Sequence, residues 1–440
     1  MRVVIVAFGS HGDVLPFLAI GEALRRRGHR VSLVAPPSFE PLALRAKLDF
    51  RALGEPADYE AVNADPRLWD AKSGARIMFG LAVHLARSAY ALIAAEHDEA
   101  RTRGEPFVAV ASTLSFGPRL AQERLGARLA TVHLSPFLMR SRHAPPVLPG
   151  LDLPSWLPAR ARHAIQRAVD RFLIDPERLP QLNALRGELG LAPIGRLTDW
   201  LPSPEALVLM APFWFAPPQP DWPRQTVQAG FPRGDRFGEA PELSEAVLAF
   251  LRAGPPPVAI TYGSSMRHGR DVFAAAVEAC TRIGRRALLV TPRSEQIPSA
   301  LPASVLHLPY APFSRLLPLC AGLVHHGGIG TAAEALAAGV PQLVVPNAFD
   351  QFDNAARIAC LGVGARLDRR HVTPARVAAM LGGLLNDAGV ATACARNRLR
   401  MAEEDGIEAA CDAIETAATG RDASTGASLA GGVQANTSTA

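Results

Sequence analysis

Lysine is nearly missing from this chain. Of 46 basic residues in 440, only Lys47 and Lys72 are lysine, so the net charge of +5 rests on scattered arginines. Acids are interspersed among them, which argues against the basic stripe or tail of a nucleic-acid binder. Cysteine is scarce as well. Five are present (Cys280, Cys320, Cys360, Cys394, Cys411), an odd number, with no C-x-x-C pair and none before residue 280. That excludes a disulfide framework and a zinc ribbon, and it suits a reducing compartment. No uninterrupted apolar run approaches the roughly 18 residues of a membrane span, and the opening MRVVIVAFG breaks at glycine too early for a signal peptide. What is plentiful is ordinary: 48% hydrophobic and 20% charged residues describe a globular chain and exclude wholesale disorder. The length exceeds what one hydrophobic core sustains, so two or three domains are expected.

The first 36 residues read as one unit. Val3 to Ala7 is a β-branched run fit for a buried strand, and Gly9-Ser10-His11-Gly12 is a turn. From Val14 to Arg27 apolar residues recur at helical spacing until Gly28, and Arg30 to Ala35 is a second strand. Strand, turn, helix and strand make a βαβ unit, hence a parallel sheet. A second start follows downstream. Pro257–Tyr262 is a strand, Gly263-Ser264-Ser265 a turn, Val272–Ile283 a helix and Arg286–Thr291 a strand, with further strand-like runs at 305–308, 322–325 and 342–345. The fold class expected is therefore α/β, with two Rossmann-like doubly wound parallel sheets facing a central cleft. The amino-terminal domain spans 1–232, a Pro/Gly/charge-rich linker 233–242 and the carboxyl-terminal domain 243–418, whose terminal helices are free to pack back on the first domain. Residues 419–440 are small and polar and read as a disordered tail. Trp214–Pro223, with four prolines and two tryptophans, reads as an ordered connection at the domain interface.

Chemistry concentrates at three places. In Val324–Asn354 a strand ends at His325-His326, glycines 327, 328 and 330 strip the turn of side chains, and a helix begins near Ile329–Thr331. Unpaired N–H groups and the positive end of a helix dipole make phosphate the natural ligand, with His326 and Thr331 as further donors. After the next strand, Asp350, Gln351 and Asn354 lie at a second carboxyl edge, where sugar hydroxyls can be recognised, although Asp350 also suits a helix N-cap. In the first lobe, Gly9–Pro16 (GSHGDVLP) is no G-x-G-x-x-G motif and no acid ends the second strand, so a dinucleotide site is not expected. Asp13 there is either a first-turn cap or a general base facing the cleft, with His11 the second candidate. No Asp-x-Asp motif occurs, so neither a metal nor a cofactor is expected.

Together these residues resemble the donor signature of glycosyltransferase family 1, the GT-B proteins. HHGGIGTAAEALAAGVPQLVVP with DQFDNA carries the likeness, and GSHGDVLPF is similar to the amino-terminal loop of bacterial and sterol members. The likeness extends to about residue 418. Within the family it is nearest to the rhamnosyltransferases that form rhamnolipids, through Asp65–Asp70, Trp214–Pro223 and Phe349–Ala355. The resemblance implies that His325 or His326, Gly328, Gly330 and Thr331 hold a diphosphate with Ser264, and that Tyr310 stacks on the nucleobase. It further implies that Asp350 and Gln351 bind the donor sugar and that Asp13 is the catalytic base. Family members with a catalytic histidine orient it by an aspartate after a later strand; here FVAVASTLS offers only Ser112 or Ser115, which fits a carboxylate base.

The reaction so implied is inverting transfer of L-rhamnose from dTDP-L-rhamnose to the hydroxyl of a 3-(3-hydroxyalkanoyloxy)alkanoic acid, a hydroxy-fatty-acid acceptor. Such a lipid needs an apolar groove, for which Trp69, Ile77, Phe79, Leu81 and Phe137 are candidates. It also suggests a cytoplasmic protein, peripheral at the inner face of the membrane, and a companion protein that makes the acceptor. Three alternatives stand beside it: another apolar aglycone (macrolide, sterol or glycopeptide), a nucleotide-sugar epimerase, and a non-catalytic partner protein. An epimerase would need more acids and bases than DQFDN offers, and a non-catalytic protein would have lost the phosphate turn or Asp13.

Overall fold

The computed structural model describes residues 1–70, 73–151, 153–154, 156–232, 242–264 and 266–420. Ser265, residues 233–241 of the expected linker and 421–440 of the expected tail lie outside them. Thirteen described strands form two sheets, all of whose pairings are parallel. The first contains β1 (Arg2–Val6), β2 (Arg30–Ala35), β3 (Asp49–Ala52), β4 (Phe107–Ser112), β5 (Leu129–His133), β6 (Ala206–Leu209) and β7 (Thr226–Gln228), in the order 3-2-1-4-5-6-7. The second contains β8 (Val258–Ile260), β9 (Ala287–Val290), β10 (Val305–Leu308), β11 (Gly322–His325), β12 (Gln342–Val344) and β13 (Gly364–Arg366), in the order 10-9-8-11-12-13.

Both central strands are short apolar runs buried along their length, as double cover by helices requires. Chain order reverses between β1 and β4 and again between β8 and β11. At such switch points the loops on either side part, leaving a crevice at the carboxyl ends of the strands. Both helices that open there are punctuated as their sequences suggest. Asp13 caps the helix His11–Arg26 at its third position, and Gly28, at φ +88°, follows its end. The helix Ile329–Ala338 stops at Gly339, φ +71°.

The lobes share a core. Met139, Leu207 and Leu209 of the first lobe pack in one cluster with Ala332, Leu336, Val344, Ala355 and Ile358 of the second, and Phe215 sits among them. The proline-rich connection thus lies at the interface, where Arg357 Nη1 donates to the Phe215 carbonyl at 3.1 Å and Trp214 Nε1 to Glu404 Oε1 at 2.7 Å. Beyond the second sheet the chain returns. The helix Gly406–Thr419 buries Ala410, Cys411, Ile414 and Ala417 in the core of the first lobe, and its Asp412 and Glu415 accept from Arg27 at 2.7 and 2.9 Å. The helix Gly74–Thr102 is long and apolar enough to cross a membrane, but here it buries Phe79, Leu85, Ala89 and Ile93 beneath the first sheet.

Candidate active site

A cavity of about 820 Å³ lies where the two switch points face each other. The first lobe lines it with Phe8–Ser10, Gly12 and Asp13 after β1 and Ser112–Leu114 after β4. The second lobe adds Gly263 and Ser264 after β8, His326 and Gly328–Thr331 after β11, and Phe349–Gln351 after β12.

Asp13 reaches this space from the first turn of its helix. Its Oδ2 accepts hydrogen bonds from the Ser10 backbone N–H at 2.7 Å and from Ser10 Oγ at 2.8 Å. Capping and facing the cavity therefore coexist in one side chain. Gly9 makes room for it: at φ +128°, a Cβ there would stand 2.5 Å from Asp13 Oδ2. Although open to the cavity, the carboxyl is ringed by both lobes, and that desolvation raises its pKa against the lowering effect of the Ser10 hydrogen bonds. Ser112 and Ser115 are hydrogen-bonded to each other, Oγ to Oγ at 2.7 Å. His11, the second candidate base, does not line the cavity; its ring packs on Phe39 with centroids 5.1 Å apart.

Across the cavity the two histidines part company. His325 is fully buried and outside the lining. Its Nδ1 accepts from the Gly327 N–H at 3.2 Å, so Nε2 carries the hydrogen and donates to Gln342 Oε1 at 3.0 Å. Both nitrogens are spent on fixing the turn, and burial drives the pKa down to about 3. A ligand contact from His325 is therefore ruled out by its position and its bonding. His326 does line the cavity, wedged between two bare glycines. A Cβ on Gly328 would lie 2.6 Å from its Nε2, and one on Gly263 (φ +91°) 3.1 Å from its Cε1. Its Nδ1 is buried without a partner, and burial lowers its pKa to about 4. The imidazole is thus neutral at pH 7, and positive potential at this wall comes from backbone N–H groups and the start of the helix Ile329–Ala338. Gly330, Thr331 and Ser264 line the cavity beside it, whereas Tyr310 is 65% exposed and lies outside the lining.

Asp350 stands at the cap position of the helix Gln351–Cys360, yet its side chain caps nothing; Oδ2 accepts from Asn354 Nδ2 at 2.8 Å. Burial raises its pKa to about 6, with the negative charge of Asp13 a further cause, so the two carboxyls feel each other across the cavity. Gln351 Oε1 accepts from the Asn347 and Ala348 N–H groups at 2.8 and 3.1 Å, leaving its NH₂ end for a ligand. Ser135 Oγ donates to Asn354 Oδ1 at 3.2 Å and joins the lobes there.

Of the apolar candidates, Trp69, Phe79, Leu81 and Phe137 line the cavity and Ile77 does not. Trp69 also bridges the lobes, edge-on to Phe349 at 6.1 Å with its Nε1 buried and unpartnered, while Phe79 is equally a core residue against Phe116. Much of the remaining wall comes from residues 132–201, including Leu148, Leu173 and Leu197, and from Tyr59 and Met78. Among the described residues no group of three or more His, Cys, Asp or Glu could hold a metal ion.

A family described as erythromycin biosynthesis protein CIII-like, carboxyl-terminal domain, matches residues 286–412, and the glycosyltransferase family 28 amino-terminal domain matches 3–98. O-mycaminosyltylonolide 6-deoxyallosyltransferase of Streptomyces fradiae is 31% identical over 94% of this chain and 97% of its own. The chain belongs to this glycosyltransferase family. Solved glycosyltransferases share the fold: that of kitacinnamycin has a TM-score of 0.73 at 22% identity, covering 94% of this chain and 98% of its own. A spinosyn rhamnosyltransferase solved with thymidine diphosphate has a TM-score of 0.62 at 20% identity, covering 94% and 100%. The glycosyltransferase thus has a GT-B fold.

Proposed function

We propose that this glycosyltransferase moves L-rhamnose from dTDP-L-rhamnose, with inversion, to the hydroxyl of a 3-(3-hydroxyalkanoyloxy)alkanoic acid held in the apolar part of the cavity. The observation that carries the reading is the single cavity with Asp13 on one wall and the glycine-stripped turn with its helix start on the other. Asp13 accepts the acceptor's proton as its oxygen attacks the anomeric carbon. His326, Thr331, Ser264 and the N–H groups of residues 328–331 stabilise the charge growing on the departing diphosphate. Asp350 and the Gln351 amide bind the sugar hydroxyls, and inversion follows from a single displacement with base and leaving group on opposite walls. A carboxylate of ordinary pKa near 3.9 is a weak base for an alcohol; the raised pKa of Asp13 brings it closer to the task.

The thymidine diphosphate bound by the spinosyn rhamnosyltransferase supports the nucleobase. The Streptomyces fradiae relative, which acts on a macrolide, favours a second reading in which the acceptor is another apolar aglycone. A two-chain lipid acceptor places the protein in the cytoplasm against the inner face of the membrane, beside the protein that makes the acceptor. The test is mass spectrometry of products from dTDP-L-rhamnose and a panel of hydroxyacyl and macrolide acceptors. Rhamnosylated lipid supports the first reading, rhamnosylated macrolide alone the second, and no transfer to any acceptor overturns both.

A further inference from the structure

The wall given by residues 132–201 carries three charged side chains, Arg140, Asp170 and Arg178, in largely apolar surroundings, and the wall from 59–81 carries none. Arg140 and Asp170 form an ion pair, Nη2 donating to Oδ1 at 3.1 Å, although Arg140 Nε and Nη1 and Asp170 Oδ2 are buried without a partner. Cations around them are also engaged: Arg167 with Asp199 at 2.8 Å, Arg196 with Asp175 at 3.7 Å and Arg76 with Glu177 at 3.3 Å. Arg178 is different. On the helix Asp175–Glu188, it makes no ion pair or hydrogen bond among the described residues, and its Nε is buried without a partner. Burial disfavours its charge, and Glu177, Asp170 and Asp175 lie near enough to favour it, but none is bonded to it. Its guanidinium carbon sits 5.9 Å from the centre of the Phe79 ring, itself part of the cavity wall. A half-desolvated cation with empty donors is costly until an anion fills them.

We propose that Arg178 binds a carboxylate on the apolar acceptor, and so selects a hydroxy acid over a neutral aglycone. The inference rests on the function proposed above and names the feature by which its acceptor is chosen. With Arg140 and Asp170 paired, this wall holds a net charge of a single cation, which a monoanion neutralises. The planar fork of an arginine suits a carboxylate's two oxygens. The donor's diphosphate is not a rival, because its donors lie on the opposite lobe at 326–331.

The test is calorimetric binding of 3-hydroxydecanoic acid and of its methyl ester at pH 7.5 to the full chain and to Arg178→Met and Arg178→Lys. The acid should bind the unaltered protein about tenfold or more tightly than the ester, the range of a hydrogen bond to a charged group. Arg178→Met should erase that preference and Arg178→Lys retain part of it. Equal binding of acid and ester by the unaltered protein, or a preference that survives Arg178→Met, overturns the proposal. Transfer from dTDP-L-rhamnose to 3-(3-hydroxydecanoyloxy)decanoic acid and to its methyl ester is measured separately. Preferential acid binding without transfer to the acid defeats the function and spares the subsite; transfer to acid and ester with equal KM defeats the subsite and spares the function.

Discussion

The two walls of the cavity are made by opposite means. The carboxyl-terminal lobe offers backbone: Gly263, Gly328 and Gly330 leave N–H groups bare, and the His326 ring is held by the emptiness of its neighbours. The amino-terminal lobe offers side chains, from Asp13 through Phe79 and Phe137 to Arg178, drawn from segments up to 165 positions apart. A backbone wall fits a ligand part that does not vary, a diphosphate; a side-chain wall can be refitted one residue at a time to a new acceptor.

The sharpest test of this contrast is the amino-terminal wall's single reacting group. Asp13→Asn should lower kcat by about 10²–10⁴-fold, the usual worth of a general base, while the thermal shift produced by dTDP stays as it was. Loss of less than a few-fold would reduce Asp13 to a cap. Next, Phe79→Ala should cost about 3–5 kcal/mol of stability in a denaturant titration, because the ring is 3% exposed in the core. Phe137→Ala, half-buried in the wall, should instead raise the acceptor KM without moving the melting temperature. If both variants behaved alike, the division between core and wall would fail.

On the opposite wall, adding one methyl should do the damage. Gly328→Ala forces a Cβ to 2.6 Å from His326 Nε2, and overpacking of about 1–3 kcal/mol would weaken dTDP about tenfold or more by calorimetry. Unchanged affinity would show that the ring moves freely.

The smallest effect links the walls. The carboxyl of Asp350, raised to about 6, stabilises the fold most when protonated. That contribution is whole below about pH 4 and fades as pH rises through the native value. Melting temperature should therefore decline less between pH 4 and 7 in Asp350→Asn. Removing the Asp13 charge should in turn lower the Asp350 pKa, so that in Asp13→Asn the decline in melting temperature moves to lower pH. A decline that stays put would mean the two carboxyls act independently.

The backbone wall was largely legible in the sequence, and the side-chain wall was not. Glycines after a β-branched run announce a turn and a helix start from local rules alone, so the elements around β1, β8 and β11 were placed from spacing. The distinction between His325 and His326 was out of reach, since it depends on Gln342 lying one strand away. Asp13 could be singled out but not its partner: Ser10 was in view as part of a turn, and its two hydrogen bonds are a matter of loop geometry. His11 belongs to the same turn as Asp13, yet its ring packs on Phe39 outside the lining, a contact no motif encodes, while Tyr310 stands exposed beyond the lining. Arg178 had no signal at all, being one arginine among many on a helix, until its neighbours' pairings were known.

The return of the chain to the first lobe has a mechanical side. The segment leaving the first sheet and the segment re-entering it meet at two glycines: a Cβ on Gly406 would lie 2.6 Å from the Gly230 carbonyl, and Gly230 itself stands at φ +92°. At this seam the lobes meet backbone to backbone, beside the shared core of Met139, Leu207 and Leu209 against Ala332, Leu336 and Val344. A Cβ at Gly406 would prise these two segments apart, so the closeness of the crossing depends on a residue without a side chain.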